Sequence, residues 1–276
     1  MIFSIITPTY NRAEKLHRVF ESIEEQTLKK IDGNYIFEWI VVDDGSNDNT
    51  KDVVRTWQNK VDWPIVYLYQ ENRGKAFALQ RGLEIAQGEW TLIADSDDRF
   101  LSHTLQTFYD VLSSFNEDER EKCGGIGVLC RDQFGNRIGC DYPVQKELIP
   151  TKEVYFKWRN IPLGETWALL KTKNLKKVFL DIPKEAQELK FIPESYFWDR
   201  IVFEIEPLYS YYLNEVLRIY YREEDDNISH NIRKKYPEGF LFESKYFVKN
   251  YWKYAYKMPK AFVKHLLKIV YFRIYI

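Results

Sequence analysis

The sequence predicts an α/β fold, with a mostly parallel central sheet flanked by helices and a C-terminal helical extension. Three observations predict it. Apolar runs of strand length alternate with amphipathic helical patterns through the first hundred residues. Short polar segments connect them, as in successive βα units. The final stretch differs: Lys245, Lys249, Lys253 and Lys257 recur every four residues among aromatic side chains, which places them on one helical face.

Ile2-Phe3-Ser4-Ile5-Ile6-Thr7 reads as a buried strand. Asn11 then offers an N-cap, with Glu14 three residues on as its capping-box partner. Leu16, Val19, Phe20 and Ile23 follow at helical spacing. Trp39-Ile40-Val41-Val42 is a second strand, stopped by the turn chemistry of Asp43-Asp44-Gly45-Ser46. Val53, Val54 and Trp57 mark a helix, and residues 65–69 a third strand. Ala78, Leu79, Leu83 and Ala86 give another helix, ended by Gly88. Residues 90–94 form a fourth strand that runs into Asp95-Ser96-Asp97-Asp98. Ligands of such sheets gather outside the carboxyl ends of the strands. The polar clusters at 7–12, 43–46, 72–75 and 95–98 therefore meet on one rim. Beyond residue 120 the pattern is less regular. Strands are expected at 126–130, 167–171 and 216–221, a hairpin turn at Gln133-Phe134-Gly135-Asn136, and a helix at 195–206.

The chain has 276 residues, of which 45% are hydrophobic, enough for one large domain with an appendage. A net charge of -1 gives no reason to expect nucleic acid. The charge is uneven, because residues 244–276 hold Lys and Arg but no Asp or Glu. The three cysteines are odd in number and none sits in a C-x-x-C pair, so free thiols are expected. Met1 runs directly into a strand, with no signal-like segment before it. No window of about 18 apolar residues appears. The expected location is cytoplasmic.

Asp95-Ser96-Asp97-Asp98 puts three carboxylates within four residues, and they repel one another unless a cation compensates. Mg²⁺ takes one or two carboxylates together with phosphate oxygens, and Mn²⁺ accepts the same donors. The plainer reading is an acidic turn capping the next helix. In Asp43-Asp44-Gly45-Ser46 a strand-end carboxylate can accept from a uracil-type base, or the segment simply shapes a turn into a helix. Tyr10 offers a stacking ring or ordinary packing, and Lys75 a point charge for phosphate or a solvated amine. Their joint placement outweighs any one of them.

In their order and spacing, Ile6-Thr7-Pro8-Thr9-Tyr10-Asn11-Arg12, Val41-Val42-Asp43-Asp44-Gly45-Ser46, Asn72-Arg73-Gly74-Lys75 and Asp95-Ser96-Asp97-Asp98 resemble the signature of glycosyltransferase family 2. The match is strong over residues 1–110 and looser to about 235. The resemblance implies a GT-A fold, a nucleotide-diphosphate sugar donor, Mn²⁺ or Mg²⁺, and inversion at the anomeric carbon. It implies a transferase domain at 1–235, with a nucleotide-binding half at 1–110 and an acceptor half at 111–235, followed by the extension at 236–276. Carried onto this chain, Pro8, Tyr10 and Asp44 surround the base and Lys75 lies near the base or phosphates. Asp95 and Ser96 fall to the donor and Asp97 and Asp98 to the metal, the division between ribose and metal staying open. The implied acceptor is a glycan or a lipid-linked sugar of a surface polysaccharide.

An inverting transfer needs one general base opposite the leaving diphosphate. The family often supplies it from an adjacent Glu-Asp pair, which is absent here. In Ile192-Pro193-Glu194-Ser195-Tyr196-Phe197-Trp198-Asp199 the candidates are Glu194 and Asp199, Glu194 slightly ahead. Gly164-Glu165-Thr166-Trp167 is a candidate lining for the acceptor pocket. Some members carry a metal-binding histidine after a Tyr-Arg. Here Tyr221-Arg222 is followed by Glu223-Glu224-Asp225-Asp226, and His230 comes later, so a surface histidine is expected. The basic tail at 245–276 has two readings: a helix on an anionic membrane surface, or a helix packed on the catalytic domain with its lysines in water. Two other functions compete. A non-catalytic nucleotide-sugar-binding relative would bind donor without transferring it. A nucleotidyltransferase would need a glycine-rich phosphate loop, and residues 7–12 contain no glycine.

Overall fold

The computed structural model describes residues 1–158, 160–222 and 228–274, and of residues 228–231 the backbone alone. Among the described residues one sheet of ten strands forms the centre. Ile65–Tyr69, Phe37–Asp43, Phe3–Thr9 and Trp90–Ile93 lie side by side in that order, all parallel. Thr166–Lys171 runs antiparallel between Trp90–Ile93 and Cys123–Asp132. Tyr209–Tyr220 is parallel to Cys123–Asp132, and Leu148–Pro150 closes the edge antiparallel to it. Six of these eight strands therefore point one way, as the predicted mostly parallel sheet requires.

The uninterrupted apolar runs arise because both faces of the sheet are covered. Ile5, Trp39, Val41 and Leu92 pack on one side with Leu16, Phe20 and Leu105. Ile6, Ile40 and Val42 pack on the other with Leu79, Leu83 and Phe197. Side chains alternate faces with period 2, so neighbours in one strand enter different cores.

The capping box at Asn11 and Glu14 is not formed. Helix Ala13–Glu24 has Arg12 as its N-cap, without a side-chain cap. Asn11 adopts φ 50, a left-handed conformation that Asn tolerates. Its N–H donates to Ser46 Oγ at 2.8 Å, and its Oδ1 accepts from the Asn47 N–H at 2.8 Å. Asp48 Oδ2 instead accepts from the Ala13 N–H at the helix start, at 3.0 Å. Asn11 thus ties two strand-end loops together rather than capping its own helix.

The expected hairpin is present, Cys130 pairing with Ile138 across a turn that holds Gly135 at φ 90. The strand expected at 216–221 begins earlier, at Tyr209. Bulges interrupt its register near Val216, which hides the period-2 pattern in the sequence. Cys123, Cys130 and Cys140 are free, and burial pushes the Cys123 and Cys130 thiols up to about 12.

Helices Pro237–Tyr251 and Pro259–Arg273 each start with proline at the first turn, where its missing N–H costs nothing. They dock on helix Glu194–Glu204 through Phe203, Phe247, Tyr251, Met258 and Phe262. Tyr246 and Tyr251 both donate to Glu204 Oε1, at 2.9 and 2.7 Å. The tail therefore braces the helix that begins at Glu194.

Leu92 is fully buried at the centre of the sheet. Leu92→Ala should lower unfolding free energy by about 2–5 kcal/mol in urea titrations followed by tryptophan fluorescence. A loss below about 1 kcal/mol would contradict this placement of the core.

Candidate active site

Because the first four strands are parallel, their carboxyl ends share one edge, and the four polar clusters line it. Pro8 is buried in strand Phe3–Thr9, and Tyr10 just beyond is 46% exposed. Asp43 accepts from the Ser46 N–H at 2.7 Å and the Tyr67 hydroxyl at 2.6 Å. Asp44 organises the next loop. Its Oδ1 accepts from Gln70 Nε2 at 2.7 Å and the Arg73 N–H at 2.9 Å, and its Oδ2 from the Gly74 N–H at 2.8 Å. Gly74 sits at φ 90, and a Cβ there would lie 2.5 Å from the Lys190 carbonyl oxygen. Only glycine fits this approach, and it delivers Lys75 as the first residue of helix Lys75–Ile85.

The acid cluster is held by cations from distant segments. Lys75 Nζ lies 2.7 Å from Asp95 Oδ1 and 2.7 Å from Glu194 Oε1. Arg218 Nη2 donates to Asp95 Oδ2 at 3.0 Å and also to Asp98. Asp97 pairs with Arg12, while its carbonyl accepts from Arg18 Nη1 at 2.9 Å. Burial alone would raise the Asp95 carboxyl, but Lys75 and Arg218 outweigh it and hold it below the usual range. Burial would likewise lower Lys75, but Asp95 and Glu194 hold its ammonium above its usual range.

Lys75, Asp95, Glu165, Trp167, Glu194, Trp198 and Arg218 line one cleft of about 400 Å³. Glu194 and Trp198 are four residues apart, so one helical face presents both to it. Asp199, the other candidate base, lies on a different face. It is buried and accepts from the Tyr155 hydroxyl at 2.8 Å. Glu165 lies 3.7 Å from Arg218 Nη1, and burial raises its carboxyl against the pull of that guanidinium. Ser96 is buried, while its neighbours Asp95 and Asp97 are half-buried.

The donor chemistry fits a hard divalent ion at Asp95 and Asp97, whose side chains remain 29% and 26% exposed. Among the described residues no three His, Cys, Asp or Glu side chains are arranged as a self-sufficient metal cage. Two part-exposed carboxylates match what an ion shared with phosphate oxygens takes from a protein. Asp98 is less available. It is 5% exposed, and its oxygens meet Arg218 and the Tyr221 N–H. Burial pushes its carboxyl up to about 7 against the pull of Arg218. Glu223, Glu224, Asp225 and Asp226, and the His230 side chain, lie outside the described residues.

Arg218 was not singled out in the sequence. Its signal is an arginine within the apolar run Val216-Leu217-Arg218-Ile219, on a strand buried enough that a charge needs partners.

Residues 4–118 match the model of glycosyl transferase family 2. These residues are a domain of that family. The domain is 34% identical over 118 residues to the poly(ribitol-phosphate) beta-N-acetylglucosaminyltransferase TarP of Staphylococcus aureus, covering 42% of this chain and 34% of that protein. The chain thus spans about a third of the length of the curated relatives it matches first. Structural likeness extends further. S. aureus TarS 1–349 in complex with UDP-GlcNAc superposes with a TM-score of 0.62 at 22% identity, over 90% of this chain and 67% of that one. The mannosyltransferase PcManGT of Pyrobaculum calidifontis, in complex with GDP-Man and Mn²⁺, gives 0.57 at 19%, over 90% and 64%. The fold is the GT-A fold of these structures.

Replacing Asp44 by Asn turns an acceptor that faces two backbone N–H groups into a partial donor. Asp44→Asn should cost about 1–3 kcal/mol of unfolding free energy in denaturant melts. Unchanged stability would mean that Asp44 does not organise this loop.

Proposed function

We propose that the chain is an inverting glycosyltransferase moving a sugar from a nucleotide-diphosphate donor, UDP-linked, to a hydroxyl of a glycan or lipid-linked acceptor in surface polysaccharide synthesis. The observation that carries this reading is Lys75 bridging Asp95 and Glu194, 2.7 Å from each. That contact joins the acid cluster of the first half to an acid of the second across one cleft. The donor half would span about 1–110, the acceptor half about 111–235, with the reaction on the cytoplasmic side. TarS, one of the relatives of similar fold, is seen in complex with UDP-GlcNAc, which favours a uridine donor.

In this reading Tyr10 stacks on the base beside Pro8, and the remaining lone pair of Asp44 Oδ2 faces it. Asp95 and Ser96 hold the donor while Asp97, with Asp95, holds Mn²⁺ or Mg²⁺. A bound divalent ion would neutralise charge on the departing diphosphate. Lys75 and Arg218 add positive charge of their own at the same edge. Asp98 serves better as an anchor for Arg218 than as a metal ligand, since its side chain is 7% exposed where those of Asp95 and Asp97 keep 29% and 26%.

Glu194 is the general base. It lines the cleft, stands 48% exposed, and faces it together with Trp198. From there its carboxylate would take the acceptor hydroxyl proton as that oxygen attacks. Asp199 supports the helix through Tyr155 instead. Glu165 would meet acceptor hydroxyls from the opposite wall.

Kinetics separate the two acids. Glu194→Gln should lower kcat about 10²–10⁴-fold with KM nearly unchanged, whereas Asp199→Asn should stay within about tenfold of the parent. Full turnover by Glu194→Gln in a donor-hydrolysis assay would remove Glu194 as the base.

A further inference from the structure

Helix Pro259–Arg273 buries one side and turns an apolar row outward. Ala261, Phe262, His265 and Phe272 are buried. Val263, Leu267, Val270 and Ile274 are 54%, 64%, 62% and 77% exposed. At about 100° per residue these four fall within about 60° of one another. They form one continuous stripe, widened by the exposed Leu266 and Tyr271. Single exposed aliphatic side chains are ordinary on a soluble surface, but a contiguous row marks an interaction site.

Cations border the stripe. On the same helical projection Lys260 and Lys264 fall on one flank and Arg273 on the other. Arg233 and Lys234 join Lys260 and Lys264 around a groove floored by Val263 and Leu267. From residue 244 to 276 the sequence has eight Lys or Arg and no Asp or Glu.

We propose that this face docks the protein on a bilayer containing anionic phospholipid. The aliphatic row sinks to the boundary between headgroups and acyl chains, and the flanking cations meet lipid phosphates. Charge selects this occupant. A second copy of the chain would set lysines against lysines around its own stripe, whereas an anionic bilayer neutralises them and buries the stripe at once. The helix lies on the surface rather than crossing, since no described helix is long and apolar enough to span a membrane. The proposal stands on the tail alone and does not depend on the chemistry of the cleft.

Co-sedimentation of the full chain with vesicles tests it. Vesicles of phosphatidylcholine with about 30% phosphatidylglycerol should bind the protein, pure phosphatidylcholine should bind it at least about tenfold less, and about 0.5 M salt should weaken the binding. The double variant Leu267→Asp, Val270→Asp should reduce partition at least about tenfold with an unchanged thermal melt, because both side chains are solvent-facing. Lys260→Glu combined with Lys264→Glu should lose the preference for phosphatidylglycerol. Wild-type protein remaining in the supernatant with anionic vesicles overturns the proposal. So does a dimer in sedimentation velocity that Leu267→Asp dissociates while vesicle binding is absent.

Discussion

Five carboxylates crowd one edge of the sheet, and the architecture of the site follows from the need to compensate them. Asp95, Asp97, Asp98, Glu165 and Glu194 come from three separated segments, and Lys75, Arg12 and Arg218 stand among them. A charge pair at 4 Å and an effective dielectric near 20 is worth about 4 kcal/mol before desolvation, which offsets much of it. The network therefore adds little net stability but fixes position. Only the pair of Arg218 and Asp98, 6% and 7% exposed, is deep enough that removing one partner would leave a buried charge unmatched, at about 3–5 kcal/mol. Arg218 ties the last strand to the acid cluster, and Lys75 ties the first half to helix Glu194–Glu204.

The sheet makes this convergence possible. Parallel strands put all their carboxyl ends on one side, so loops distant in sequence become neighbours. Gly45 and Gly74, both at positive φ, let the second and third loops close on their surroundings without side-chain clash. The antiparallel strand Thr166–Lys171 then enters from the other direction, so Glu165 and Trp167 at its start arrive at the same edge.

The first hundred residues were legible because each strand is buried on both faces and each loop carries its own turn chemistry. Ile65–Tyr69 falls where the sequence puts it, and Phe3–Thr9 and Phe37–Asp43 extend one or two residues further. What was hidden depends on tertiary partners. Asn11 reads as a cap, but a cross-loop bond to Ser46 serves it better and Asp48 satisfies the helix start. Glu194 stands only slightly ahead of Asp199 in sequence, and the helix rotation separates them, sending Asp199 to Tyr155. Asp98 cannot be told from Asp97 in a run of acids until Arg218 arrives from 120 residues away. In the tail Phe262 and Phe272 pack inward, as the packed-helix reading expects, while Val263 and Leu267 face out.

The central claim is that acids and cations at this rim form a seat for a nucleoside diphosphate gripped through a divalent ion. Calorimetric titration of UDP into the full chain, with Mn²⁺ and again with chelator, tests it most directly. The account predicts binding in the micromolar range with Mn²⁺ and at least about tenfold weaker binding without it. No heat of binding in either condition, or equal affinity in both, would contradict it.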